Sequence, residues 1–163
     1  MLGVNRLRHW QAALAGIVVS AAIPLAAAPP EARPPAEPAK IRISVSPAGV
    51  ARGGRAEVTL ELTAASGVKI NRYPKVKLSV AARAGVTSGG EAAVGNAAPP
   101  PLDQVNANYF DDVDPVRLGL TVDPAASPAR HELDATVTYF YCVTASGFCA
   151  PSRSSVKIPL EVR

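Results

Sequence analysis

The sequence is poor in the residues that hold metals and cofactors. Its 163 residues include two cysteines, two histidines and one methionine. Met1 and His9 fall in a predicted signal segment, so His131 is the one imidazole left in the mature product and no thioether remains for copper. Two cysteines without a nearby histidine supply only half of the ligands of a structural zinc site. We therefore expect neither a metal nor a cofactor.

Patterns typical of hydrolytic catalysis or calcium binding are also missing. The acidic run Asp111, Asp112 and Asp114 lacks the glycine and the distal glutamate of a known calcium loop, which favours a solvated turn. His131 follows Arg130 in a segment rich in turn residues, so we expect a solvated side chain rather than a general base. No Ser-His-Asp or paired-carboxylate arrangement can be argued from this composition.

Clustered positive charge is absent, although the calculated pI of the whole chain is 9.3. Arg6 and Arg8 leave with the signal, so the 17 basic residues fall to 15 against 13 acidic ones, a net charge of +2. No Lys/Arg cluster interleaved with aromatics is present. We therefore exclude nucleic acid as a partner.

Long apolar runs are confined to the first 28 residues. A basic start with Arg6, Arg8 and His9 precedes "QAALAGIVVSAAIPLAAA", which has no charge and ends in small residues. This pattern predicts a cleaved signal peptide over residues 1–28, and hence a soluble periplasmic or secreted product. The alternative is an uncleaved membrane anchor, which the short apolar core and Pro24 disfavour. Alternating prolines, alanines and charges then predict a proline-rich linker over residues 29–39.

From residue 40 the apolar residues recur with a period of two, which indicates half-buried β-strands. Turn residues separate the strands, and no amphipathic helix is predicted. The predicted strands centre on 41–45, 58–62, the short "VKIN", 76–80, 118–122, 133–142 and 156–162. We predict an all-β, immunoglobulin-like antiparallel β-sandwich of about seven to nine strands over residues 40–163.

One connection is unusually long for a compact domain. Residues 81–116 include "AAVGNAAPPPLDQVNANYFDDVDP", which is too rich in proline, glycine, asparagine and aspartate to hold a long strand. Connections of this length are usually functional covers or disordered.

Both cysteines lie in "TYFYCVTASGFCAPSR", and the sequence leaves two interpretations of them open. If the strand alternation holds, Cys142 lies on the polar face with the threonines, exposed and away from the core. A bridge that closes an eight-residue ring restrains the unfolded chain by about 2.5 kcal/mol, against about 4.3 kcal/mol for a sixty-residue ring. It would be a weak staple, yet most cysteine pairs in exported proteins are structural.

The stretch "YFYCVTASGFCAPS" resembles the active hairpin of the N-terminal periplasmic domain of the disulfide reductase DsbD. It has a strand that ends in cysteine, a connection that contains Gly-Phe, a second cysteine, and proline two residues later. Upstream, "SGVKINRYPKVKLSV" is similar to the family's strand that starts at a glycine beside the redox pair. The resemblance spans about residues 40–163.

This resemblance implies thiol-disulfide exchange, as a component of protein-disulfide reduction. By position, Cys149 would be the sulfur that exchanges with partners, and Cys142 the resolving one. The family caps its pair with an aromatic loop, and here Tyr109 and Phe110 could supply that cap or could simply plug the end of the sandwich. Further site-flanking candidates are Tyr141, Phe148 and Pro151.

The sequence departs from the family at three points. Six residues separate the cysteines instead of five, and Val68, Lys69 and Asn71 replace an aromatic-rich strand. The family's membrane and thioredoxin-like domains are also absent from this sequence, so we expect electrons to come from another protein. We predict a monomer whose partners are thioredoxin-fold or membrane-embedded redox proteins. The alternative is a structural or protein-binding immunoglobulin-like module with an inert hairpin disulfide.

Overall fold

The structure is a computed structural model that describes residues 35–83 and 85–163. The predicted signal peptide, residues 1–28, lies outside the described residues, as does most of the predicted linker. Its last part, residues 35–38, forms no strand, and the first strand begins at Ala39. No helix within the described residues is long and apolar enough to cross a membrane.

Ten strands and one 3-10 helix make up the described part of the chain. Their bounds are β1 Ala39–Ser46, β2 Gly49–Val50, β3 Arg55–Ala64, β4 Val68–Ile70, β5 Val76–Val80, β6 Val86–Ser88, β7 Glu91–Val94, the 3-10 helix Leu102–Asn108, β8 Val116–Val122, β9 Ala129–Val143 and β10 Cys149–Val162. The seven strands expected from the period-two pattern are all present.

The strands form two sheets, which confirms the predicted all-β sandwich. The four-stranded sheet has the order β1-β3-β8-β6. The six-stranded sheet has the order β2-β10-β9-β5-β7, and β4 pairs with the end of β9. Every pairing is antiparallel except that of β2 with β10, which is parallel.

The core lies between the two sheets and is built by the apolar face of each strand. Along β8, and along β9 from Leu133 to Tyr141, every second residue is buried, as period-two alternation requires when one face is covered. The largest fully buried side chains are Leu60, Ile70, Leu78, Leu120, Leu133, Ile158 and Leu160. Burial of one such side chain stabilises the folded state by about 1.5–3 kcal/mol, so these seven residues contribute a large part of the stability that the core supplies.

The long 81–116 connection contains more structure than predicted. β6 joins the four-stranded sheet and β7 joins the six-stranded sheet, so the segment crosses between the two layers. Gly90 makes the turn between them at φ 84°, a left-handed value that glycine adopts without penalty. The three and four residues of β6 and β7 show too little alternation of apolar and polar side chains to be distinguished from turns in sequence.

His131 was expected in a solvated turn, and that expectation is wrong. The residue lies in β9 opposite Leu160, where it is half-buried. Its Nε2 atom is buried and has no hydrogen-bond partner among the described residues. The misassignment arises because β9 begins several residues earlier than the apolar alternation indicates.

Candidate functional site

The two cysteines face each other at the end of the hairpin formed by β9 and β10. Cys142 is the register partner of Cys149, and the structure joins them in a disulfide with Cα atoms 4.0 Å apart. The N–H of Val143 donates to the carbonyl of Phe148 at 2.7 Å, which assigns the cysteines to the adjacent, non-hydrogen-bonded position of the ladder. Side chains approach most closely at such positions, so the strand register itself brings the sulfurs together.

The hairpin turn is fixed by a glycine and by the neighbouring loop. Gly147 has φ 68°, which a residue with a side chain adopts only at a cost. Its N–H donates to the carbonyl of Val143 at 2.9 Å and closes the turn. Thr144 donates to the carbonyl of Gly67 through both its N–H, at 2.8 Å, and its Oγ1, at 2.7 Å. The hairpin tip is therefore anchored to the turn between β3 and β4.

Cys142 is buried, so the expectation that it would be exposed is wrong. It lies outside the core cluster, as the alternation predicted, yet only 7% of its surface is accessible. Lys69 of the neighbouring strand β4 is in register beside Cys142, and the side chain of Asn71 contacts its sulfur. Cys149, the first residue of β10, is exposed. The two ends of the disulfide therefore differ in access.

Asn71 is the residue that most closely covers Cys142. Its side chain is 6% exposed, and its Oδ1 lies 3.6 Å from Cys142 Sγ. This is a contact and not a hydrogen bond, because a disulfide sulfur carries no proton. The N–H of Asn71 donates to the carbonyl of Phe140 at 2.9 Å, so the backbone holds the amide in place.

The end of the 3-10 helix and the residue that follows it, Asn108 and Tyr109, lie over the same region. Asn108 accepts from the N–H of Tyr73 at 2.9 Å through Oδ1 and donates to the carbonyl of Tyr73 at 2.9 Å through Nδ2. Tyr109 forms an isolated antiparallel bridge with Asn71. Its ring lies under Lys69, whose Nζ is 5.0 Å from the ring centroid, a cation–π distance. Tyr109 is half-buried.

A small cleft of about 200 Å³ opens between this segment and the disulfide. Both cysteines line it, together with Lys69, Asn106 and Tyr109. A cleft of this volume can admit a small side chain or a few waters beside the two cysteines.

Tyr109 and Phe110 have different environments, although both were candidates for the same aromatic cap. Phe110 is 7% exposed and belongs to the core cluster. The guanidinium of Arg72 lies over its ring, with Cζ 4.6 Å from the centroid, and the N–H of Phe110 donates to the carbonyl of Ile70 at 3.0 Å. Phe110 therefore plugs the end of the sandwich, and Tyr109 alone lies beside the cysteines.

The other predicted flanking residues also divide between core and surface. Tyr141 is buried in the core, and its ring centroid is 6.3 Å from that of Phe148, which is half-buried at the hairpin end. Pro151 is exposed and pairs across the ladder with Phe140. Tyr141 thus supports the site from below, whereas Pro151 lies on the same outer face as the disulfide.

Sequence reasoning missed Lys69 and Asn71 as neighbours of the pair. In the sequence the two residues stand out only as departures from an aromatic-rich strand. The available signal was the period of two in "VKIN", which assigns Lys69 and Asn71 to one face of the strand predicted to lie beside the cysteines.

The perturbed pKa values lie away from the cysteine pair. A hydrogen bond and the charge of Lys157 hold the pKa of Asp134 below its ordinary value. Burial raises the pKa of Tyr139 above 10.0. Within residues 35–83 and 85–163, no group of three or more His, Cys, Asp or Glu side chains is arranged to hold a metal ion.

Comparison of the chain with models of known protein families, and with curated proteins, found no match.

Proposed function

We propose that the protein carries two electrons by thiol-disulfide exchange through Cys142 and Cys149, as the resemblance to the DsbD N-terminal domain implies. The difference in access between the two ends of the disulfide carries this proposal. Exchange requires that a thiolate reach one sulfur and displace the other. The exposed Cys149 offers that sulfur, and the buried Cys142 is protected from direct attack.

The exchange balances with a dithiol partner. A partner thiolate attacks Cys149 Sγ, the Cys142–Cys149 bond breaks, and Cys142 leaves as a thiolate that takes up a proton. The second partner thiolate then attacks the partner sulfur of the mixed disulfide and releases Cys149. The partner ends as a disulfide and this protein as a dithiol, with two electrons transferred. Delivery to an oxidised acceptor is the reverse sequence, in which Cys149 attacks and Cys142 resolves.

The surroundings of Cys142 favour its role as the leaving group. Lys69 is its register partner on β4 and lines the same small cleft, and a nearby cation stabilises a thiolate. The amide of Asn71 is already in contact with the sulfur. Its Oδ1 can accept from the thiol, and rotation of the amide would direct its NH₂ group at the thiolate.

The extent of strand pairing around the disulfide also supports exchange, because we expect the fold to persist without the bridge. β9 and β10 are already paired over their full length, from Ala129 opposite Val162 to Cys142 opposite Cys149. Neither cysteine belongs to the core cluster. A carrier must be folded in both redox states, and this arrangement is compatible with that requirement.

The burial of Cys142 favours one other candidate. A structural or protein-binding module with an inert disulfide would also shield one sulfur from reductants. The two functions differ in what the exposed Cys149 does. For the exchange function, the location we propose is the periplasm, and the partners are thioredoxin-fold or membrane-embedded redox proteins that meet a monomer of this chain.

Single-cysteine variants test the proposal. We expect Cys149 in the Cys142→Ala variant to react with dithiodipyridine about tenfold faster than Cys142 in the Cys149→Ala variant, because thiol reactivity follows access. Reduced thioredoxin should also reduce the wild-type disulfide. Equal rates in the two variants, together with resistance of the wild type to thioredoxin, would favour the inert module.

A further inference from the structure

A row of apolar and basic side chains continues from the disulfide along the outer face of the six-stranded sheet. In β9 and β10 the pair next to Cys142–Cys149 on this face is Phe140–Pro151, and the pair after it is Thr138–Arg153. Successive pairs on one face are separated by two residues, about 7 Å. A protein that contacts Cys149 from this side therefore covers Phe140 and Pro151 as well.

The row lies in an open groove of about 480 Å³. Pro74, Phe140 and Pro151 supply its apolar surface. Phe140 is half-buried, and it is not part of the core cluster, which agrees with its outward position in the alternation. Phe140 and Pro151 on the outer face of the sheet, and Pro74 in the connection between β4 and β5, are not part of the core cluster.

The rim of this groove is positively charged. Lys75, Lys77 and Arg153 line it, and Thr138 is flanked by Lys77 on one side and Arg153 on the other. Lys77 pairs with Glu91 at 2.9 Å. Within residues 35–83 and 85–163, no carboxylate forms an ion pair with Lys75 or Arg153. These two cations are therefore available to form ion pairs with carboxylates of a partner.

We propose that this groove is the docking surface for the redox partner, and that the partner presents an exposed apolar side chain flanked by carboxylates next to its exchanging cysteine. Aromatic and proline contacts supply the apolar part of such an interface, and opposite charges orient the approach. The inference rests on the proposed function, because exchange is what brings a partner to Cys149. It adds the chemistry of that partner and the direction from which it comes.

A binding measurement tests the docking surface without requiring exchange. The probe is the peptide Glu-Phe-Ser-Glu with blocked ends, and its counterpart is Lys-Phe-Ser-Lys. We expect NMR titration of the oxidised protein to move the amide signals of Phe140, Pro151's neighbours and Arg153 with the acidic peptide only. Arg153→Glu with Lys75→Glu should abolish these shifts. The matched control, Arg52→Glu with Arg55→Glu, makes the same charge change at exposed positions away from the groove and should leave them intact.

An exchange measurement then links the groove to the cysteines. The peptides Glu-Phe-Cys-Glu and Lys-Phe-Cys-Lys reduce the oxidised protein, and each rate is divided by that peptide's rate with the uncharged disulfide of 2-mercaptoethanol. We expect the acidic peptide to be favoured about fivefold, since two surface charge pairs are involved, and less so at high salt. Arg153→Glu with Lys75→Glu should remove or reverse this preference. A second comparison uses the acidic peptide with Phe replaced by Ser. Phe140→Ser should reduce the rate advantage of the Phe peptide over the Ser peptide.

Different results would refute the docking surface and the thiol-disulfide exchange. Absence of shifts with either peptide, or equal loss in the Arg52/Arg55 control, would overturn the docking surface even if dithiothreitol reduces the disulfide readily. Groove signals that move with protein concentration, or on deletion of residues 29–34, would assign the groove to a second copy or to the chain's own segment and would also overturn it. Peptide binding with no reduction by any thiol would refute exchange, and with it the assignment of the groove to a redox partner; the groove would then be a peptide-binding surface only.

Discussion

Removal of both cysteines should destabilise the protein only moderately. In the Cys142→Ala, Cys149→Ala double variant, loss of the eight-residue ring costs about 2.5 kcal/mol of unfolding free energy. Loss of one buried sulfur at Cys142 adds about 1 kcal/mol, which is typical of a small truncation. The total is well within the 5–15 kcal/mol of an ordinary domain, so the variant should be folded. The pairing of β9 with β10 and the core between the sheets remain intact.

Urea denaturation followed by circular dichroism measures this effect. With an m value of about 1.5 kcal/mol per molar, the midpoint should fall by about 2 M, and the transition should stay cooperative. Wild type reduced with dithiothreitol should unfold close to the double variant. Leu133→Ala is the matched core control, because its fully buried side chain should cost about 2–5 kcal/mol with the disulfide intact. If the double variant has no cooperative transition at room temperature, the disulfide is a staple and the reasoning is refuted.

Three further predictions follow from the cleft and the core. Tyr109→Ala should speed the reaction of reduced Cys149 with a small disulfide several-fold at nearly unchanged stability, and an unchanged rate would show that the ring is not a cover. Phe110→Ala should instead lower stability by about 3 kcal/mol, and a change in thiol reactivity without loss of stability would contradict its place in the core. Because burial raises the pKa of Tyr139, the unfolded chain loses this proton first. Stability should therefore decline as pH rises from 10.0 through the higher folded pKa, and a Tyr139→Phe variant that declines equally would refute this assignment.

The period-two pattern was sufficient to predict the sandwich. Each strand of five or more residues alternates clearly, so its buried face and its place in a two-layer fold follow from elementary geometry. The two-residue β2 and the short β6 and β7 were missed, because pairing with a long neighbour, rather than their own sequence, makes them strands.

The sequence predicted which face of its strand a site residue occupies, but not which residues from other parts of the chain contact it. Alternation correctly assigned Cys142 to the face away from the core, but it could not show that β4 lies beside Cys142 and that Asn71 contacts its sulfur. Likewise, adjacency in sequence could not separate Tyr109 from Phe110. The backbone turns one ring toward the cysteines and the other into the core. Contacts between residues seventy positions apart depend on tertiary structure.

The central claim, that Cys142 and Cys149 exchange electrons, is tested most directly by the reduction potential of the pair. Equilibration with dithiothreitol and glutathione buffers, followed by alkylation and mass measurement, gives this value. Because the ring is small and Cys149 is exposed, we predict a potential well above about −300 mV, near those of periplasmic exchange proteins. A potential below about −300 mV would mean that the disulfide is structural, and it would contradict the proposed function.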